Sequence, residues 1–196
     1  MGLNVCVMIA DSPLDDDALA AWDLVPLGEH VRAEEVVLTP ADQRACVVVR
    51  DGATIVVDGG GALADAMEGA LDHLPGRIHL ASIVSSVDHL DWQVLEAGRT
   101  TRRVHVDDEG ELVSTGDPLR HEKDVLGITD PESEFDGDLL FERLPALAGL
   151  PGSVELFELT GQAYGPAEMT HTEAAQPEAP TGQNHQRGFF RRLFGR

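Results

Sequence analysis

Every second residue from Asp130 to Asp138 is a carboxylate: Asp130, Glu132, Glu134, Asp136 and Asp138, with Gly137 between the last two. Clustered oxygen ligands suit hard cations. The order approaches a calcium loop, with Glu132, Glu134 and Asp136 at its first, third and fifth positions and Gly137 at its sixth. The twelfth position should be a bidentate Glu. It is Arg143, and Glu142 falls one residue early. A solvated acidic loop is the simpler reading. Glu132, Glu134, Asp136 and Asp138 remain the metal candidates of an alternative, a metal-dependent enzyme using acidic ligands.

Gly59, Gly60 and Gly61 lie between an apolar strand and an apolar helix, where phosphate loops occur. No GKS or GKT follows. Only the looser dinucleotide pattern is met, by Gly59, Gly61 and Ala64, with Asp88 as a ribose acid. The preceding strand belongs to an antiparallel hairpin, so a tight strand-to-helix connection is expected and no cofactor. The eight histidines show neither HExxH nor zinc spacing with cysteine. Whether His89, Asp91 and His121 converge is left open by sequence. Ser85 and Ser86 sit in no GxSxG elbow. Cys6 and Cys46 lack CxxC spacing and read as buried thiols of a reducing compartment.

The stretch Arg187-Gly-Phe-Phe-Arg-Arg-Leu-Phe-Gly-Arg196 holds three of the six Phe and four of the fourteen basic residues. At ~100° per residue, Phe189, Phe190, Leu193 and Phe194 share one arc, and Arg187, Arg191, Arg192 and Arg196 occupy the other side. So short a segment with two Gly does not stay helical alone in water, and a surface must induce the helix. An anionic membrane is one such surface, each Arg contributing ~1 kcal/mol. A protein groove is another, with the four apolar residues as anchors. The energetics allow only weak, reversible attachment.

The chain has a net charge of −21, and the tail itself carries no acid, so the remainder is more acidic still. Such a surface repels nucleic acid and anionic lipid and could attract a basic partner. Lys123 is the only lysine, a bias of high-GC genomes. No leader is evident near Met1 and no apolar run reaches ~20 residues, so a cytoplasmic protein, peripheral to the membrane at most, is expected.

The elements that would position these groups are legible in outline. Residues 4–10 read as a buried strand. Ser12 and Pro13 read as the cap and first position of a helix running to Val25, with Asp15, Asp16 and Asp17 favoured by its dipole. Cys46–Arg50 and Thr54–Val57 flank Asp51-Gly52, a type I′ hairpin signal. A helix is expected over 62–74. Strands are expected over 77–87, 90–96, 101–106 and 111–114, with Trp92 and Val94 on one face. A helix is expected over 138–147, with Asp136 as cap and Pro145 shortening or bending it. Residues 154–164 fit either helix or strand. The sum is an α+β domain over 1–165, with one mostly antiparallel sheet of about six or seven strands and two or three helices packed on it. Residues 166–186, rich in Pro, Glu and Gln, read as a flexible linker spanning ~25 Å, well beyond the ~8 Å over which salt leaves charges coupled.

Trp92, Gly98, Arg99, Arg102, Arg103, Gly116, Pro118 and Leu119 form a Trp strand, a Gly turn, an Arg-rich return strand and a Gly-x-Pro-Leu exit. This segment resembles uncharacterised actinobacterial domain families, some of them similar to immunity proteins of toxin systems. The resemblance covers Trp92–Leu119 only. It implies no activity, assigns no catalytic residue and slightly favours a binding role. The leading expectation is a non-enzymatic interaction module docked through Arg187, Phe189, Phe190, Arg191, Arg192, Leu193, Phe194 and Arg196 to a membrane surface or protein partner. The first alternative is an immunity-like acidic protein that binds a basic toxin.

Overall fold

A computed structural model describes residues 4–60, 63, 76–84, 89–107, 109–127 and 137–171. The fold is α+β. Nine strands form one sheet in which every neighbouring pair is antiparallel: β1 (Asn4–Ala10), β2 (Val25–Arg32), β3 (Ala45–Arg50), β4 (Ala53–Asp58), β5 (Arg77–Val84), β6 (His89–Glu96), β7 (Arg99–Val106), β8 (Leu112–Gly116) and β9 (Thr160–Gly165). Their order is β2-β9-β3-β4-β1-β5-β6-β7-β8. Four α-helices are present among the described residues: α1 (Asp16–Ala20), α2 (Ala33–Leu38), α3 (Glu122–Leu126) and α4 (Gly137–Leu147). None of them is long and apolar enough to cross a membrane.

The sheet exceeds the expected six or seven strands because β2 and β9 carry weak patterns. β2 contains Pro26 and Gly28 and has a register shift between Pro26 and His30. Its residues alternate poorly, as edge strands with bulges do. The helix read from Ser12 to Val25 is confined to Asp16–Ala20. Its N-cap is Asp15, whose carboxylate accepts from the Ala18 N–H, rather than Ser12. Asp23 then takes a left-handed φ of 58° and turns the chain into β2. Residues 154–164 resolve into a short 3-10 turn and then β9, which inserts between β2 and β3.

The turns obey their residues. Asp51 and Gly52 have φ of 53° and 83°, the pair of positive values that a type I′ hairpin requires. Ala97 and Gly98 repeat the conformation between β6 and β7 at 48° and 73°. Helix α4 runs through Pro145 to Leu147 without ending at it. The expected helix over 62–74 lies outside the described residues except for Leu63, which is buried.

Alternation along the strands gives the sheet two faces. On the α4 face, Val5, Val7, Ile9, Ile55, Val57, Trp92, Val94 and Val104 pack with Val36 of α2 and with Leu140, Phe141, Leu144 and Leu147 of α4. On the α1 face, Cys6, Met8, Ala10, Val56, Ile78 and Leu80 pack with Leu19, Trp22, Leu24, Leu63 and Tyr164. The central strand β1 is buried on both sides, which is why its sequence is continuously apolar.

Candidate functional site

The residues expected to dock, Arg187, Phe189, Phe190, Arg191, Arg192, Leu193, Phe194 and Arg196, lie outside the described residues, as do Glu132, Glu134, Asp136, Ser85, Ser86, Asp88 and Ala64. Asp138 is exposed in the first turn of α4, where the helix dipole favours a carboxylate. Among the described residues no group of His, Cys, Asp and Glu is arranged to hold a metal ion. Residues 167–171, at the start of the segment read as linker, form a 3-10 turn, and the Ala167 N–H donates to Asp23 at 3.2 Å.

Polar side chains collect on the sheet in two places. The first is a row across the α1 face: Asp58, Cys6, Ser82, Asp91 and His105 are successive cross-strand partners on β4, β1, β5, β6 and β7. Asp58 is buried and accepts from the Gly60 and Leu63 N–H groups at 2.7 and 2.8 Å, so it orders the glycine segment itself. The glycines serve close packing. A Cβ on Gly59 would lie 2.5 Å from the Val36 carbonyl oxygen, and one on Gly60 2.9 Å from Gln43 Cα. These approaches are those of a tightly packed turn after β4, and the described strands, all antiparallel to their neighbours, provide no parallel β-α-β frame for a dinucleotide site.

Burial pushes the Cys6 thiol well up, and the carboxylates of Asp58 and Asp91 add to it. Cys46 is raised to about 11, again chiefly by burial. Neither is a thiolate nucleophile at neutral pH. Asp91 is clamped by Arg103, which donates from Nε at 3.1 Å and Nη2 at 2.7 Å, and by the Gln93 amide at 3.1 Å. That hydrogen bond raises the Arg103 pKa further. Beside this clamp Ser82 Oγ and His89 Nε2 are hydrogen-bonded at 3.2 Å. His89 and Asp91 thus share a face. His121 does not join them, because its Nε2 donates to the Leu147 carbonyl oxygen at the end of α4.

The second collection is on the α4 face. His79 and Arg102 lie in one cross-strand row, His79 opposite Val94 and Val94 opposite Arg102. Arg102 and Glu122 form an ion pair in which each side chain is 1% exposed. Arg102 donates to Glu122 from Nε at 3.1 Å and Nη2 at 2.7 Å, and from Nη1 to Ser114 Oγ at 2.6 Å and the Thr115 carbonyl at 3.1 Å. Glu122 also accepts the Leu119 N–H at 2.9 Å. The pair therefore fastens the chain leaving β8 to the sheet. His79 stacks on Trp92 at a ring separation of 6.2 Å. Its two ring nitrogens are buried with no hydrogen-bond partner among the described residues, and burial lowers its pKa to about 3. The segment Trp92–Leu119 is thus β6, β7 and β8 with their exit. Gly116 takes a φ of 78° where a Cβ would meet the Thr101 carbonyl oxygen.

Seven of the nine described arginines, Arg32, Arg44, Arg50, Arg77, Arg102, Arg103 and Arg143, are in ion pairs with carboxylates. Asp15, Asp17, Asp23, Glu109, Glu111, Asp117, Glu155 and Glu158 are exposed. The domain's outer surface is accordingly anionic. Neither polar row was legible in sequence, because register across strands is non-local. The one available signal was the period-2 placement of Asp91, Gln93, Arg103 and His105. Compared with protein-family models, curated proteins and solved structures, the chain matches none of them.

Proposed function

We propose that the protein is a non-enzymatic interaction module, an acidic α+β domain attached to a membrane surface or a protein partner through residues 187–196. The observation that carries this reading is how the body spends its reactive side chains. Cys6 and Cys46 are held as thiols, Asp58 orders a glycine connection, and Asp91 and Glu122 are locked to arginines. Groups so committed serve the fold, and the exposed remainder is mostly carboxylate. The tail adds four Arg with no acid among them and a separate apolar arc. Co-sedimentation of the full chain and of residues 1–186 with anionic vesicles at low salt tests the membrane form. The full chain is expected to pellet and the shortened chain to stay in solution. Equal pelleting of both would end the membrane form of the proposal.

A second reading, an immunity-like body that binds a basic toxin, is favoured by the ion pairing of seven arginines, which leaves exposed acid in excess. It predicts that residues 1–165 alone retain a basic partner. Loss of that partner on removing the tail would count against it.

A further inference from the structure

Among the described strands, β2 and β8 end the sheet, and they are built differently. β2 carries Pro26, a left-handed Gly28, a register shift, Glu29 and Arg32. These are the devices that keep an edge from pairing with another strand. β8, Leu112-Val-Ser-Thr-Gly116, has no proline, no bulge and no charged residue.

The register says which backbone groups of β8 face outward. The Asp107 N–H donates to the Glu111 carbonyl at 3.0 Å, so Asp107 and Glu111 are a hydrogen-bonded pair. Such pairs recur at every second position of an antiparallel ladder. They therefore include His105 with Val113 and Arg103 with Thr115, whose register is unbroken. Leu112 and Ser114 belong to the alternate positions and turn N–H and C=O away from β7. No described strand meets them. The edge is also held in place, since Arg102 grips Ser114 Oγ and the Thr115 carbonyl while bound to Glu122. Charge selects the partner. From Val104 to Leu119 the chain carries five carboxylates and no Lys or Arg. Glu109 and Glu111 are exposed before β8 and Asp117 after it.

We propose that β8 is a strand-addition site for an extended basic segment of a partner protein, which pairs with the outward N–H and C=O groups of Leu112 and Ser114 and sets its cations against the flanking carboxylates. The proposal rests on the acidic-body reading above and does not involve the tail.

The test uses the full chain and a short peptide of alternating Arg and Val, with amide hydrogen exchange as readout. The expected result is saturable binding that slows exchange of the Leu112 and Ser114 amides. A peptide of alternating Glu and Val should not bind. Ser114→Pro deletes an outward N–H and leaves the β7 ladder intact, and should weaken binding about tenfold or more. The Arg-Val peptide methylated at alternate backbone nitrogens should fail on the unaltered protein, a result independent of whether Ser114→Pro folds. Binding of the basic peptide unchanged by Ser114→Pro and by methylation would overturn the edge while sparing the acidic-body reading. No binding at all would overturn both. Protection of Leu112 and Ser114 without peptide, in a protein that sediments as a dimer, would assign the edge to a second copy and overturn the proposed partner.

Discussion

Replacing His79 by Leu should remove much of the protein's sensitivity to mild acid. The imidazole is 1% exposed, stacked on Trp92, and without a hydrogen-bond partner for either nitrogen among the described residues. Burial chiefly, with the positive charges of Arg77 and His121 adding to it, lowers its pKa from 6.5 to about 3. In the unfolded chain the ring takes up a proton as pH falls through ~6.5, while in the folded chain it stays neutral until pH approaches ~3. The stability tied to the neutral ring is therefore fully present above pH ~6.5 and is lost progressively below it. Between pH 7 and pH 5 the loss amounts to about 2 kcal/mol at 1.36 kcal/mol per pH unit, since the first part of the interval contributes little. Leu is close to His in volume and cannot titrate, so the packing above β5 is retained. Urea unfolding of both proteins at the two pH values measures the effect. The natural chain should lose about 2 kcal/mol more than the variant. An equal loss in the two would refute the assignment of a buried neutral imidazole.

Glu122→Ala leaves Arg102 charged and buried and should cost ~3–5 kcal/mol, whereas the double change Arg102→Met with Glu122→Leu should recover most of it. Arg103→Ala leaves the Asp91 carboxylate, 5% exposed, with only the Gln93 amide as a side-chain donor and should cost ~1–3 kcal/mol by the same unfolding assay. Ala97→Gly relieves a left-handed φ of 48° and should raise the melting temperature by a few degrees, corresponding to ~0.5–1 kcal/mol. Cys6 and Cys46 should react with a thiol reagent at neutral pH far more slowly in the native protein than in denaturant, because burial raises both thiols.

The parts of the fold that were legible in sequence are those set by neighbouring residues. Asp51-Gly52 between two β-branched runs requires a hairpin, and the continuous apolar run of β1 requires a strand covered on both faces. Trp92 and Val94 share a face as their spacing says. What escaped was set by distant partners. Val25–Arg32 has the composition of a loop, and it is a strand because β9, more than a hundred residues later, pairs with it. Arg102 is buried because Glu122, twenty residues later, folds back over it and pairs with it. The calcium-loop pattern breaks on spacing alone, since Arg143 stands where such a loop needs Glu. The amphipathic pattern of residues 187–196, on which the proposed docking rests, is legible for the opposite reason. Its separation of Arg from Phe and Leu is a property of ten consecutive residues and owes nothing to the sheet.

That separation is also what most directly tests the interaction-module reading. The full chain and a full-length variant with Phe189, Phe190, Leu193 and Phe194 all changed to Ser carry the same charge and differ only in the apolar arc. Titrated with anionic vesicles at low salt, the natural chain should bind weakly and reversibly, and the variant should lose most of that binding. Equal binding of the two would reduce the tail to simple charge attraction, and absence of binding by both would contradict attachment to a membrane through residues 187–196.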